Sequence, residues 1–529
     1  MGQGHLSRRE ILSSIAVLAS ADSLVPAGIA GGEMLFPASR GVLKGTVTDA
    51  ATGKLCAAKM RVTRLGSGQE FLPERCIRTM PAQSKGGVRY FYLRGSYELA
   101  LPAGPYEVEV VRGICHEPQI RRVEVRDGVC RLDFRMKLLT DLHRRGWFSG
   151  NTHTHYHVEI EEAVDERLRL VPPAEAVDVS VLSYLIRNRL PYASNRIPIG
   201  RLRDFSGDGT ILDMGEECRN NFVSKERPHN LGYGHCLFLN IPRLIEPVST
   251  GQLSAEGQAP DFPTLSMLCA EARRLGGTTV WCHNGHGMEA PVAVALGLVD
   301  ALNIADGFPV EYDGYYRFLN CGFRLPISTG TDWWEYDHNR VFVRVEGSFG
   351  YESWLAGLRA GRTCVTNGPL LELKVNGRQP GEALPGGRRL QVVAKAISRV
   401  PFERLEIVRN GEVVAQKIAD LRQEAALEWE CPATRQAGWI AARVGGATMT
   451  RLGYPVFAHT NPVYYSGVPP TALRQEAARA WAGEIESSMR FLQKNFRFAY
   501  EADRAFALGR FEEGRRFYAG LAREGAAGS

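Results

Sequence analysis

The chain has 529 residues, 44% of them hydrophobic and 23% charged, with a formal net charge of +6. That length exceeds one ordinary core and predicts about three or four domains. The composition is that of a soluble globular protein, and so mild a charge demands neither nucleic acid nor an anionic membrane as partner.

Ser7-Arg8-Arg9-Glu-Ile-Leu, the apolar run Ile11 to Leu18 and the small residues Ala27 to Ala30 read as a twin-arginine export signal over residues 1–32. Periplasmic or secreted localisation follows. The run is too short to span a bilayer, and no later segment is apolar enough to do so.

Residues 41–140 alternate with period two, as in Tyr106-Glu-Val-Glu-Val-Val and Arg122-Val-Glu-Val. This predicts a small β-sandwich. Gly45, Asp49, Thr52-Gly53 and Leu101-Pro-Ala-Gly-Pro-Tyr-Glu-Val resemble the transthyretin-like or carboxypeptidase-regulatory-like sandwiches. The 11 cysteines stand singly with no C-x-x-C pair, which argues against a thiolate zinc site. Cys56, Cys76, Cys115 and Cys130 are open to pairing in an oxidising compartment.

Residues 141–368 alternate helical stretches such as 263–275 with short β-branched runs such as Thr278-Thr-Val-Trp, an α/β texture. Residues 369–467 return to strands, with Asn410-Gly411 as a hairpin turn, and predict a second sandwich. Residues 468–529 read as a helical tail. Leu473, Ala477, Trp481, Ile485, Met489 and Leu492 form one stripe. A second helix carries Phe506, Leu508, Phe511, Phe517 and Leu521. Core packing and partner binding both fit these stripes.

The chemistry concentrates in the α/β region. His153 and His155 lie one residue apart in a predicted strand, so both imidazoles face the same side. Glu217, His235, His283 and Asp332 each stand beside a predicted strand and a Gly or Pro break, His235 opening its strand and the others at the end of a β-like run, and strand-end loops carry function in α/β folds. Imidazole and carboxylate together suit zinc, manganese or iron. A water on such an ion loses its proton near neutral pH and becomes a nucleophile. Asp332 is also a candidate proton acceptor, His286 a candidate catalytic or substrate contact, and Arg219 and Trp333 candidate substrate contacts. Arg187, Arg189, Arg196, Arg201 and Arg203 fit either an anion grip or a solvated basic loop. No Gly-x-Ser-x-Gly elbow occurs, which disfavours a serine hydrolase.

The ordered series His153-x-His155, Gly215-Glu-Glu217-Cys-Arg219, Gly234-His235, Cys282-His283 and Gly330-Thr-Asp332 resembles the PHP (polymerase and histidinol phosphatase) metal-dependent hydrolases. Within them it is most similar to the CehA/McbA family. The segments 360–369 and Ala458-His-Thr-Asn-Pro-Val-Tyr resemble that family's exit from the catalytic domain and its C-terminal sandwich. The resemblance implies a distorted (β/α)7 barrel at 141–368 flanked by the two sandwiches. It carries over His153, His155, Glu217, His235, His283 and Asp332 as ligands. The chain departs from the pattern at Asn151 (Asp in the family), in Val179-Ser-Val-Leu-Ser-Tyr (no histidine) and at Trp334 (histidine in the family), with His338 nearby. One or two divalent ions (Zn, Mn or Fe) are therefore expected. The implied activity is hydrolysis of an ester, carbamate, amide or phosphoester small-molecule substrate, without nucleic acid and without stable membrane insertion. The competing expectation is a non-catalytic exported binding protein with a degenerate barrel. The export signal argues against a polymerase-associated nuclease or histidinol phosphatase, whose substrates are cytoplasmic.

Overall fold

A computed structural model describes residues 40–79, 89–156, 164–187, 192–207, 209–222, 232–254, 257–333, 339–450, 453–467 and 470–524. The expected export signal, Arg189, Trp334 and His338 lie outside the described residues. The fold is mixed α/β, mostly strands, with seven α-helices among the described residues. None of those helices is long and apolar enough to cross a membrane.

Period-two alternation builds the N-terminal sandwich. One sheet contains Arg40–Asp49, Ser96–Pro102, Gly128–Arg131 and Phe134–Met136, and the other is built around Ala58–Arg64, Gly104–Val111 and Gln119–Val125. Leu43 and Val47 from the first meet Met60, Val62, Val108 and Val110 from the second in one core. Cys56, Cys76, Cys115 and Cys130 are all free thiols here, as are the other seven cysteines.

A curled sheet follows. Trp147–Thr154, Val179–Tyr184 and Ile211–Asn221 run parallel. Gly234–Leu239 and Thr278–Trp281 pair antiparallel in turn, and Ala301–Asn303 and Ile327–Ser328 continue in parallel. Beyond Ser328 the chain meets the first strand again. Thr331 N and Asp332 N donate to His153 O at 2.8 and 2.9 Å, and His155 N donates to Asp332 O at 2.9 Å. The contact is close: a Cβ on Gly330 would lie 2.4 Å from the Cβ of His153, so a side chain there would push the two segments apart. Asn151, where the resemblance leads one to expect an aspartate, braces this seam. Its Nδ2 donates to Thr331 Oγ1 at 2.8 Å, and its Oδ1 accepts from His153 N at 3.1 Å.

The Thr363–Thr366 strand pairs with Arg340–Arg344 on one side and Ala458–Thr460 on the other, so the curled sheet runs on into the C-terminal strands. Among these, Leu390–Arg409 and Glu412–Cys431 form a hairpin about Asn410-Gly411, with φ values of 53° and 99°, as a two-residue turn with two left-handed residues requires. Asn461 Oδ1 accepts from Tyr315 OH at 3.0 Å and Ile327 N at 3.2 Å, so the C-terminal region holds the strand that leads to Asp332.

The tail forms two helices, Thr471–Asn495 and Glu501–Arg523. Ala477, Trp481, Ile485 and Leu492 are buried as the stripe requires, while Leu473 and Met489 are half-buried. On the second helix Phe511 and Leu521 are buried and Leu508 is half-buried, but Phe506 and Phe517 are exposed. The helix docks through Gly514 against Val292 and Tyr518 against Pro291, which leaves those two phenylalanines flanking the contact.

The N-terminal sandwich is tied to the curled sheet by a buried ion pair. Lys59 Nζ lies 2.6 Å from Glu175 Oε1, both almost fully buried. Tyr92 OH donates to the same oxygen at 3.0 Å, and Arg340 Nη2 stands 3.7 Å from Glu175 Oε2. Removing a charge from such a group leaves its partners buried without compensation, a loss of about 3–5 kcal/mol. Glu175→Gln deprives two cations of their shared carboxylate and is expected to lose about that much stability. Lys59→Met, which leaves Arg340 and Tyr92 on Glu175, is expected to lose less. Urea unfolding of the two variants measures the order.

Candidate metal centre

Six side chains from five segments of the curled sheet converge. His153 and His155 leave the first strand on one face, their Nε2 atoms 3.1 Å apart. Glu217 reaches them across the interior. Its Oε2 lies 2.8 Å from His155 Nε2 and 3.6 Å from His153 Nε2. Its Oε1 lies 2.8 Å from His235 Nδ1 and 3.9 Å from His283 Nε2, and His283 Nε2 is 2.9 Å from His235 Nδ1. Asp332 Oδ1 stands 3.6 Å from both His153 and His155. The result is two half-sites, His153/His155/Asp332 and His235/His283, with one Glu217 oxygen facing each. Strand alternation decides between the neighbouring acids: Glu216 points to the opposite face, where it accepts from Ile245 N at 2.7 Å.

The outer nitrogens fix the inner ones. His155 Nδ1 meets Ser183 O at 2.9 Å, His283 Nδ1 meets Asp306 O at 2.8 Å, His153 Nδ1 meets Asp306 Oδ2 at 2.9 Å and His235 Nε2 meets Asn221 Oδ1 at 2.9 Å. All four partners are acceptors, so these ring nitrogens donate. In the neutral imidazoles the opposite nitrogens are then bare lone pairs. They face one another and two carboxylates. A buried cluster made of acceptors alone is repulsive unless a cation or added protons lie within it, and this donor set fits a divalent metal.

The charge shifts tell the same story for the protein alone. Burial pushes His153 down, but Cys282, Asp332 and Asp306 hold it well above the usual imidazole range. Burial lowers His235 to about 4 despite Glu217. Against the cost of its own burial, the contacts with His153, His155 and His235 hold Glu217 well below the usual carboxylate range, whereas burial raises Asp332. The two carboxylates are driven apart, as acid and base partners commonly are.

Arg219 lies two residues from Glu217 on the same strand face. It is buried, and its Nε and Nη2 have no hydrogen-bond partner among the described residues. Trp333 packs on His155 (ring centroids 4.5 Å apart) and on Tyr192 (4.9 Å). His286 does not join the cluster. It is partly exposed at the rim of a small cleft lined by Asn221, His235 and His283, 3.5 Å from Glu311. The arginine-rich stretch disperses, with Arg201 stacked on Tyr351 at 4.5 Å and Arg196 and Arg203 exposed.

Asp306, Asn221 and Cys282 escaped the sequence reading. Asp306 follows strand Ala301–Asn303 and precedes Gly307, the same strand-end position that identified His283 and Asp332. Left-handed φ values of 55° at His283, 63° at Ala305 and 52° at Asp332 gather at these ends, where strained backbone commonly marks function.

No known family model matches the chain, and no curated protein matches it. Among solved structures it is similar to the Bacillus anthracis TIE protein (13% identity, 23% of this chain and 20% of that one, TM-score 0.15). It is also similar to a glycosyl hydrolase family 2 member from Bacteroides cellulosilyticus DSM 14838 (10%, 77% and 58%, TM-score 0.19). A third is the Parabacteroides merdae β-glucuronidase (12%, 78% and 60%, TM-score 0.17). The chain spans less than two thirds of each of these proteins, and such scores carry no argument about fold or activity.

Asp306 orients His153 through its carboxylate and His283 through its carbonyl, and it also accepts from His283 N at 2.7 Å. Losing such a support typically weakens metal binding by about 10–100-fold. Asp306→Asn is expected to fall in that range when zinc is titrated against a competing chelating dye.

Proposed function

We propose that the chain is an exported metal-dependent hydrolase built on a PHP-like distorted (β/α)7 barrel, related to the CehA/McbA enzymes, that cleaves an ester, carbamate, amide or phosphoester. The observation that carries this reading is the bridging position of Glu217 between two sets of inward-facing imidazole lone pairs. The seven strands that lead back to the His153 strand support the barrel; His153, His155, His235, His283 and Asp332 lie near strand ends and Glu217 lies within its strand.

His153, His155, Asp332 and Glu217 would hold one divalent ion (Zn, Mn or Fe), and His235, His283 and Glu217 a second. A metal in such a site polarises the attacked bond and lowers the pKa of a bound water. The protein's own groups supply the rest. Asp332, beside both His153 and His155, accepts the proton that the attacking water gives up. Arg219 presents buried guanidinium donors to a substrate oxygen as charge develops on it. Trp333 and Tyr192 form an aromatic wall beside His155 that seats an apolar substrate group and keeps water out. Twin-arginine export, which carries folded chains, suits a centre that must be filled before crossing.

The test is metal analysis of the purified chain with a panel of chromogenic ester, carbamate and phosphoester substrates. Bound zinc, manganese or iron is expected, with turnover lost on chelation and restored by metal. His155→Ala is expected to lose turnover by at least about 100-fold, the scale of a positioned catalytic group. Metal at about 100 times its Kd should stabilise the wild type by about 2.7 kcal/mol, and His155→Ala much less. Retained metal without turnover on any substrate would favour the binding-protein reading, and a chain that takes up no metal would sink the hydrolase reading.

A further inference from the structure

One donor at the cluster has no part in the ligand set above. Cys282 directly precedes His283 and is fully buried. Its backbone is pinned on both sides: Cys282 N donates to His235 O at 3.1 Å, and its carbonyl accepts from Gly285 N at 3.0 Å. Its Sγ lies within 4.8 Å of ligand atoms of His153 and Asp306, and equally of Glu217 and His283.

Neighbouring cysteines behave differently. Cys218 alternates with Glu217 to the opposite face and points its thiol at Pro247 O, 3.4 Å away. Cys236 alternates with His235 and lies 3.4 Å from Cys269 Sγ. Neither enters a group of candidate ligands among the described residues. Both are the small buried apolar residues that most core cysteines are. Cys282 alone faces imidazoles and carboxylates.

We infer that Cys282 is a sulfur donor to the metal centre, shared with His283 and Glu217, and that it biases the centre toward zinc over manganese or magnesium. This rests on the metal-centre reading. As the metal–sulfur bond forms, the thiol proton leaves to solvent, and no electron is transferred. Soft thiolate ligands select zinc or iron, whereas all-oxygen and nitrogen sets leave room for harder ions.

Cobalt(II) titration of the metal-free full-length chain tests it by absorption. Cobalt bound by imidazole and carboxylate gives visible d–d bands, and a thiolate ligand adds a near-ultraviolet charge-transfer band. Wild type is expected to show both. Cys282→Ala and the nearly isosteric Cys282→Ser are expected to lose the charge-transfer band and keep d–d bands, while Cys218→Ala keeps both. In competition, either Cys282 variant should favour zinc over manganese less than wild type does. Visible bands without a charge-transfer band in wild type, or a band that survives both Cys282 variants, would overturn the inference and leave the metal centre standing. No cobalt bands at all would overturn the centre itself.

Discussion

Four imidazoles and two carboxylates turn their lone pairs toward one another in a buried space, and the rest of the curled sheet is arranged around that fact. Each histidine spends one ring nitrogen on a fixed acceptor, namely Ser183 O, Asn221 Oδ1, or the carboxylate or carbonyl of Asp306. In the neutral ring the second nitrogen is thereby left as a bare lone pair. Such a cluster is a poor way to stabilise a fold, since buried uncompensated polar groups are costly. It is a good way to prepare a cation site, because the ligands lose little orientational freedom when the ion arrives.

The regions that flank the curled sheet act on this cluster through its supports. Asn461 reaches from the C-terminal strands to Ile327, five residues before Asp332. Lys59 reaches from the N-terminal sandwich to Glu175, at the end of helix Val164–Ala174, which returns the chain to the Val179–Tyr184 strand. Ser183 of that strand orients His155. Both flanks thus hold strand ends in place, and a loosening in either one reaches the imidazoles through one or two intervening segments.

Much of this arrangement was legible in the sequence, because it is written in local periodicity. Two histidines spaced by two on a strand must share a face, and a carboxylate beside a strand-end glycine stands where α/β folds place chemistry. The same parity rule separates Glu217 from Glu216 once the partner strand is known. What could not be read are the relations that only the closed sheet creates. Asp306 looks like any turn aspartate until it is found beneath two imidazoles. Asn151 looks like a lost ligand, yet it bonds Thr331 and the backbone of His153. His286 resembles His283 in every local respect, but the left-handed turn at His283 and Asn284 turns it out to the rim. Phe506 and Phe517 follow a helical stripe that the docking at Gly514 does not use.

The two half-sites are unequal, and charge explains how both can serve. The first has two imidazoles, the Asp332 carboxylate and one Glu217 oxygen, a four-donor set with its own anion. The second has two imidazoles and the other Glu217 oxygen, and the buried Arg219 guanidinium adds positive charge beside His235. A divalent ion there meets too few donors and a repelling neighbour. A sulfur ligand from Cys282 supplies the fourth donor and a negative charge at once, offsetting Arg219 and leaving that guanidinium available to a substrate oxygen.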